Sequence, residues 1–186
     1  MEWRASMLLV LGGCAQIFGL DTTSKHEPDA RPSIDTRPVD ASSVLPCVGG
    51  DARSTDPATG ACYVFFTAAM TRDAARAACQ GLGASTRLAS IQGAAESDLI
   101  TGLVGTSEAL IGGSDEVAEG SYRWEDGTAV QLTRWNTGEP NNGTGIIEED
   151  CIVVLGALGG VWDDRPCAPN AAAGVPGVYP FVCERD

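Results

Sequence analysis

The sequence predicts an α+β domain in which two helices flank small antiparallel sheets and disulfide bonds hold the fold together. Three observations lead to this fold class. Two segments carry apolar residues at helical spacing, and short apolar runs typical of strands lie before and after them. Six cysteines are spread over the same part of the chain. A long stretch rich in glycine and polar residues separates the second helix from the last strands.

The first elements of the domain are a hairpin and a helix. Residues 47–50 lead into a turn-rich stretch, and the apolar run at residues 62–66 predicts the strand that follows. Thr71 is a suitable N-cap for a helix over residues 72–80, and Gly81 is a suitable stop for that helix. We therefore expect a hairpin that runs directly into the first helix.

A second helix is predicted over residues 94–104. Its apolar residues repeat at helical spacing and are Leu99, Ile100, Leu103 and Val104. Residues 105–142 follow as a long loop. Short strands are then predicted at residues 152–154, 161–162 and 178–182. The apolar faces of both helices are expected to pack in the core and need no further function.

The charge of the chain excludes two classes of partner. Among 186 residues, 25 are acidic and 12 are basic, which gives a formal net charge of −13. Binding to nucleic acid requires a basic surface, so nucleic acid is not expected as a partner. Direct adhesion to anionic lipid is excluded for the same reason. The acidic excess is then either a solvated surface or, in part, a set of metal ligands.

The cysteines indicate disulfide bonds. Of the seven, Cys14 lies apart in an apolar N-terminal segment, and the others are Cys47, Cys62, Cys79, Cys151, Cys167 and Cys183. Six cysteines allow many connectivities, and the sequence alone does not choose among them. No Cys-x-x-Cys pattern occurs, which argues against a zinc or thioredoxin-type site. Disulfide bonds require an oxidising compartment.

The N-terminal segment predicts such a compartment. It is apolar over residues 5–20, which is short for a membrane span. Residues 11–14 resemble the lipobox of bacterial lipoproteins, so residues 1–13 are expected to be a signal peptide and Cys14 a lipidated N-terminus. Alanine rather than aspartate follows the cysteine, at position 15, which resembles lipoproteins that reside in the outer membrane. The expected location is a bacterial envelope, reached through the lipid anchor; a secreted protein and an uncleaved anchor are the alternatives.

Residues 14–45 form the expected connection between the lipid and the domain. They are rich in proline, aspartate, serine and threonine and contain few large apolar residues. Such a segment cannot bury enough apolar surface to fold and acts as an extended spacer. The folded domain is therefore expected at residues 46–186.

Three short motifs carry oxygen ligands. They are Glu139-Pro140-Asn141, Glu149-Asp150-Cys151 and Trp162-Asp163-Asp164. Carboxylate and amide oxygens are hard ligands, and calcium takes about six to eight of them. Proline restricts the backbone between Glu139 and Asn141, and a cis peptide bond is possible there. The motifs predict a calcium site.

The surroundings of these motifs resemble a C-type lectin-like domain over residues 46–186. Residues 119–127 and 135–142 resemble the long loop of that family. Residues 110–113 resemble its Trp-Ile-Gly-Leu core motif, although leucine and glycine replace the first and last residues. Residues 179–184 resemble its closing strand. The resemblance implies a calcium-binding long loop and the disulfide bonds Cys47–Cys62, Cys79–Cys183 and Cys151–Cys167.

The resemblance also implies which residues hold calcium and sugar. The principal site, which would bind both, consists of Glu139, Asn141, Glu149, Asp163 and Asp164. An auxiliary calcium site would use Asp115, Glu119, Asn142, Glu149 and Asp150. In the family, each ligand of the principal site also hydrogen-bonds a sugar hydroxyl. The order Glu-Pro-Asn resembles mannose-type specificity, so the expected function is a calcium-dependent lectin for mannose-like glycans.

Two departures from the family weaken the expectation of sugar binding. Asp163 stands where the family has asparagine, and a carboxylate has no N–H to donate to a sugar hydroxyl. Residues 143–147 lengthen the loop relative to the shortest family members. Calcium binding is therefore better supported than mannose binding.

Four other readings compete with the lectin reading. The acids can hold loops through calcium without binding sugar, or the domain can bind a surface protein. Ion pairing without a metal is less favoured because few lysines or arginines lie near these acids in sequence. An enzyme is not expected, because no serine–histidine or cysteine–histidine set is available. Trp124, Trp135 and Trp162 are expected in the core rather than in sugar stacking.

Overall fold

The computed structural model describes residues 46–145 and 147–186. The expected signal peptide at residues 1–13, the lipidated Cys14 and the spacer up to residue 45 lie outside the described residues. The helices are α1 (Arg72–Gln80) and α2 (Ala94–Val104). The strands are β1 (Ala52–Thr55), β2 (Cys62–Met70), β3 (Thr86–Leu88), β4 (Glu108–Ser114), β5 (Cys151–Leu155), β6 (Val161–Arg165) and β7 (Tyr179–Arg185).

Both predicted helices are confirmed with their predicted bounds. The hydroxyl of Thr71 accepts a hydrogen bond from the N–H of Ala74 at 3.4 Å and caps α1. Gly81 ends this helix, and its N–H donates to the carbonyl of Ala77 at 3.0 Å. Ile100 and Val104 of α2 are buried, which is the core role that their spacing predicts.

The strands form one sheet rather than several small ones. Its order is β1-β2-β7-β4-β5-β6, and β3 also pairs with β7. Most pairs are antiparallel, as expected, but β4 and β7 meet in parallel at Leu110 and Phe181. Strand β7 thus joins the N-terminal hairpin to the strands that follow the helices. The fold class is confirmed, and the plural sheets of the prediction are corrected to one.

The predicted long loop begins too early, because β4 lies within residues 105–142. Residues 109–114 are all buried, so the strand lacks the alternation that marks a half-exposed strand. Its glycines allow close packing. A Cβ on Gly112 would lie 2.8 Å from the carbonyl oxygen of Leu88, and one on Gly113 would lie 2.5 Å from the side chain of Ile152. The long loop runs from Asp115 to Asp150.

The three disulfide bonds implied by the resemblance are confirmed. They are Cys47–Cys62, Cys79–Cys183 and Cys151–Cys167. Cys79–Cys183 joins α1 to β7 across a sequence separation of 104 residues. Loops of that length give the largest entropic stabilisation in the chain-entropy model, on the order of 4–5 kcal/mol.

The core lies on both faces of the sheet. One face packs against α2 and includes Ile111, Ile152 and Trp162; the other packs against α1 and includes Leu110 and Phe181. Trp124 is also buried and Trp135 is partly buried against the first face, so the prediction that the tryptophans belong to the core is confirmed. Within the described part of the chain, no helix is long and apolar enough to cross a bilayer.

Candidate functional site

Three carboxylates converge at the end of the long loop. Glu139, Asp163 and Asp164 each place one carboxylate oxygen so that these oxygens lie within 4.8 Å of one another. We call this set the principal acidic cluster. Asp163 and Asp164 come from β6, and Glu139 comes from the loop, where the bond between Glu139 and Pro140 is cis. Carboxylates this close together repel one another unless a cation lies between them.

Asp164 fastens the loop to the strand. Its carboxylate accepts hydrogen bonds from the N–H of Asn141 at 3.0 Å and from the N–H of Asn142 at 2.7 Å. Asp164 is fully buried. Asn142 has a φ of 48°, in the left-handed region where asparagine is one of the tolerated residues. These bonds hold the backbone after Glu139 against β6.

Asn141 and Glu149 border the principal acidic cluster. The side-chain amide of Asn141 donates to Glu139, so its carbonyl oxygen stays available as a ligand. The N–H of Glu149 donates to the side-chain oxygen of Asn142 at 2.8 Å. Gly143 lets the chain approach Glu149, because a Cβ there would lie 3.0 Å from the carboxylate carbon. Glu149 is not one of the three converging carboxylates, but it is close enough to feel their charge.

The pKa values of Glu139 and Glu149 are raised by burial and by the neighbouring carboxylates. Burial raises the pKa of Glu139, and the charge of Asp163 raises it further. Burial likewise raises the pKa of Glu149, and the charges of Asp164 and Asp163 add to it. Each shift means that the ionised form is unfavourable in the absence of a cation. A divalent cation would reverse the sign of the local potential and favour ionisation.

A second group of carboxylates lies where the first and last residues of the long loop meet. Asp115, Glu119 and Asp150 also place one oxygen each within 4.8 Å of one another. We call this set the auxiliary acidic cluster. Burial raises the pKa of Asp150, and the charge of Asp115 raises it further. The resemblance places Asn142 and Glu149 here as well; the amide nitrogen of Asn142 donates to Glu148 at 3.0 Å, and its amide oxygen accepts from the N–H of Glu149.

One buried oxygen of the auxiliary acidic cluster lacks a hydrogen-bond partner among the described residues. Asp115 is only 2% exposed, and its Oδ2 accepts a hydrogen bond from the N–H of Gly120 at 2.8 Å. Its Oδ1 is buried and has no hydrogen-bond partner among the described residues. Burial raises the pKa of this carboxyl. A buried carboxylate oxygen without a partner is costly unless an ion completes its surroundings.

Both clusters supply the ligands that calcium prefers. They consist of carboxylate oxygens, with amide oxygens from Asn141 nearby, and contain no nitrogen or sulfur ligand. Hard oxygen sets of this kind suit calcium rather than zinc. The residues present therefore fit a calcium ion at each cluster.

The sequence analysis missed the arginines that contact these clusters. The Nε of Arg165 donates to Asp163 at 2.6 Å, and Arg72 forms an ion pair with Glu116 at 2.5 Å beside the auxiliary acidic cluster. Of the two, Arg165 contacts a cluster carboxylate and Arg72 contacts Glu116, so an ion pair accounts for one carboxylate of the principal acidic cluster. The spacing of Asp163 and Arg165, two residues apart on a strand, was the signal that could have indicated their contact.

Comparisons with known proteins agree with the fold. The family model of the lectin C-type domain matches residues 68–185. The low affinity immunoglobulin epsilon Fc receptor of Mus musculus is 37% identical over 124 residues, which cover 67% of this chain and 34% of the receptor. Lectin BRA-3 of Megabalanus rosa is 35% identical over 112 residues, covering 60% of this chain and 67% of that lectin.

A solved structure is similar over the described domain. It is the C-type carbohydrate-recognition domain of cow CD23 in the presence of GlcNAc2Man3 oligosaccharide. The match has a TM-score of 0.60 and 28% identity, and it covers 75% of this chain and 97% of that domain. This chain spans about a third of the length of the mouse receptor, so the likeness concerns one domain of that protein.

Proposed function

This chain belongs to the C-type lectin domain family, and from that premise we propose that it binds carbohydrate through calcium held at the principal acidic cluster. The convergence of Glu139, Asp163 and Asp164 within 4.8 Å carries the proposal. Members of this family typically bind ligands and are not enzymes, and C-type lectin domains generally bind calcium. The donor set described above agrees with calcium binding.

Five residues would hold the calcium ion and meet the sugar. They are Glu139, Asn141, Glu149, Asp163 and Asp164. The ion would supply free coordination positions that two neighbouring hydroxyls of a sugar can fill. The carboxylates accept hydrogen bonds from those hydroxyls, and the amide of Asn141 can donate one once it turns away from Glu139.

The order of Glu139 and Asn141 around Pro140 favours mannose-like sugars. Asp163 limits the strength of that binding, because it accepts hydrogen bonds but donates none. We therefore propose weak binding of single sugars and stronger binding of surfaces that carry many of them. The oligosaccharide named with the related cow domain contains mannose, which supports this choice of ligand.

The auxiliary acidic cluster would hold a second calcium ion with a structural role. Asp115 and Asp150 belong to the two ends of the long loop, and Glu119 lies on its first turn. An ion there would neutralise the buried carboxylate of Asp115 and tie these segments together. Ordering of the loop would then precede or accompany sugar binding.

A protein partner is the second candidate function. The printed name of the mouse relative describes a receptor for immunoglobulin epsilon, and this chain shares 37% identity with part of it. A protein ligand would not require the principal acidic cluster to carry calcium. Persistence of binding in a chelator would therefore favour this second candidate.

We also propose that the domain is displayed on a bacterial envelope through lipid on Cys14, or secreted if that residue is not modified. The support is the sequence of residues 11–14 and the spacer that follows. A tether of that kind would present many copies on one surface. Weak single-site affinity then suffices for attachment to a multivalent glycan.

The test is binding to a glycan array with calcium and with a chelator. We expect mannose-containing glycans to be retained only with calcium. Glu139→Ala together with Glu149→Ala should abolish retention, while Asp98→Asn, which changes an exposed carboxylate on α2, should not. Retention of glycans in the chelator, or their absence in both conditions, would overturn the proposed function.

A further inference from the structure

Arg165 contacts the principal acidic cluster from the same strand that supplies two of its carboxylates. It follows Asp163 by two residues on β6, so the two side chains leave the same face of the strand. The Nε of Arg165 donates to Oδ2 of Asp163 at 2.6 Å. The side chain of Asp163 is 12% exposed and that of Arg165 is 38% exposed. One of the two oxygens of Asp163 is thereby engaged.

This ion pair is built on the sheet and not on the loop. Asp163 pairs with Val153 of β5, and Arg165 pairs with Cys151 of the same strand. Cys151 is in turn bonded to Cys167, two residues after Arg165. Strand pairing and a disulfide therefore fix the backbone on both sides of the pair. Charged partners held in this way lose less conformational entropy than a flexible surface pair.

A positively charged side chain reduces the repulsion among the carboxylates of the principal acidic cluster. Three carboxylates converge here, from Glu139, Asp163 and Asp164, and Arg165 offsets one of their three negative charges. The guanidinium is therefore a fixed positive charge in contact with a group of like charges.

We propose that Arg165 is a positioning residue of the principal acidic cluster, a fixed counter-cation that occupies one oxygen of Asp163 and leaves the other for a bound ion. Two consequences follow. Arg165 stabilises the domain when no metal is bound, which does not depend on the proposed function. It also lowers the affinity for calcium by its positive charge, which does rest on the proposed calcium site.

The first consequence is tested by thermal unfolding in a chelator. Arg165→Gln should lower Tm by about 2–4 °C, because Asp163 loses its partner among like charges. Arg165→Lys keeps the charge and should restore most of the loss. In the Asp163→Asn background the same Arg165→Gln change should have little effect, because no ion pair is left to break. An equal loss of Tm in both backgrounds would overturn the role as counter-cation.

The second consequence is tested by calcium titration calorimetry. Removal of the positive charge that contacts Asp163 should tighten calcium binding roughly fivefold in Arg165→Gln. The control is Arg134→Gln, which breaks an ion pair with Asp98 of α2 and should leave the calcium affinity unchanged. Weaker calcium binding by Arg165→Gln would show that the arginine does not act through its charge and would overturn this consequence.

The unfolding experiment and the calcium titration together also separate this inference from the proposed function. If the wild type binds no calcium, the proposed function fails, and the experiment in chelator still decides whether Arg165 is the counter-cation. If calcium binds and the Tm in chelator is the same for wild type and Arg165→Gln, the inference fails while the proposed function stands.

Discussion

The backbone N–H of Asp115 donates to the backbone carbonyl of Asp150 at 3.1 Å. This bond joins the first and last residues of the long loop, and the side chains of both residues belong to the auxiliary acidic cluster. A hydrogen bond between neutral backbone groups thus closes the loop at its base. The carboxylates at the same place repel one another and oppose that closure. A calcium ion bound between these carboxylates would replace their repulsion with attraction to the ion.

The first prediction is that calcium raises the Tm of the domain. A ligand that binds only the folded state stabilises it by about 2.7 kcal/mol at 100 times its dissociation constant. Glu139→Ala together with Glu149→Ala should remove the part of this gain that arises at the principal acidic cluster. Differential scanning fluorimetry over a calcium series measures it, and an unchanged Tm in millimolar-order calcium contradicts the metal sites.

The second prediction concerns the partnerless oxygen of Asp115. In a chelator, Asp115→Asn should leave Tm unchanged or raise it slightly, because a neutral amide costs less to bury than a carboxylate. In calcium, the same variant should be less stable than the wild type, because it binds the ion more weakly. A variant that is equally destabilised in both conditions would indicate a packing role for Asp115 and no ion.

The third prediction is a dependence of stability on pH that originates far from the acidic clusters. Burial raises the pKa of Glu184 on β7 to about 7, although the N–H and hydroxyl of Ser90 donate to it at 2.8 Å and Arg87 lies nearby. The ordinary value is 4.5. Between these two pH values the folded state keeps a proton that the unfolded chain has released, so the free energy of unfolding falls as pH rises.

Unfolding by urea in chelator, from pH 4.5 to 7, measures this dependence for the wild type and Glu184→Gln. The wild type should lose stability by up to about 1.4 kcal/mol per pH unit from this residue. The slope should be smaller in the variant, which has no proton to release. Identical slopes in the two proteins would show that Glu184 does not titrate in this window.

The fourth prediction is that Asp163→Asn tightens the binding of mannose. The amide supplies the N–H that the carboxylate lacks, and a hydrogen bond to a polarised hydroxyl contributes roughly 1–3 kcal/mol. Calcium affinity should be unchanged or slightly weaker. Titration of both proteins with mannose in saturating calcium makes the comparison; equal affinities would show that position 163 does not limit sugar binding.

The fifth prediction concerns attachment to the membrane. Lipid on Cys14 should place the protein in the membrane fraction of a bacterial host that processes lipoproteins, because two or more acyl chains give stable anchoring. Cys14→Ala should release the protein or leave an unprocessed precursor. Cys14→Ala that stays in the membrane fraction at the processed size would rule out lipidation.

Capping residues and apolar periodicity, which act over a few residues, predicted most of the fold. Thr71, the helical spacing behind it and Gly81 bound α1 correctly, because capping and apolar periodicity act within a few residues. Strand β4 was assigned to the loop, since its glycines depend on packing against Leu88 and Ile152, which are distant in sequence. Strand β3 has three residues and no periodicity of its own, so pairing with β7 defines it.

In the candidate site, too, the features that depend on local sequence were predictable and those that depend on folded contacts were not. The acids were found from their motifs, since hard oxygen ligands are recognisable by type. The partners of Asn142 were not predictable, because its hydrogen bonds to Glu148 and Glu149 form only when the loop folds back on itself. The contact between Asp163 and Arg165 was overlooked because the prediction ended β6 at residue 162, three residues before the strand ends.

If the domain is anchored through its N-terminal side as proposed, the bond between Cys47 and Cys62 would set the path of a pulling force. Residues that precede Cys47 lead toward the proposed anchor, and strand β1 lies wholly inside the covalent ring that this bond closes. A pull from the N-terminal side would therefore pass from Cys47 directly to β2. The hairpin partner β1 would feel no tension, and the load would first meet the extended pairing between β2 and β7.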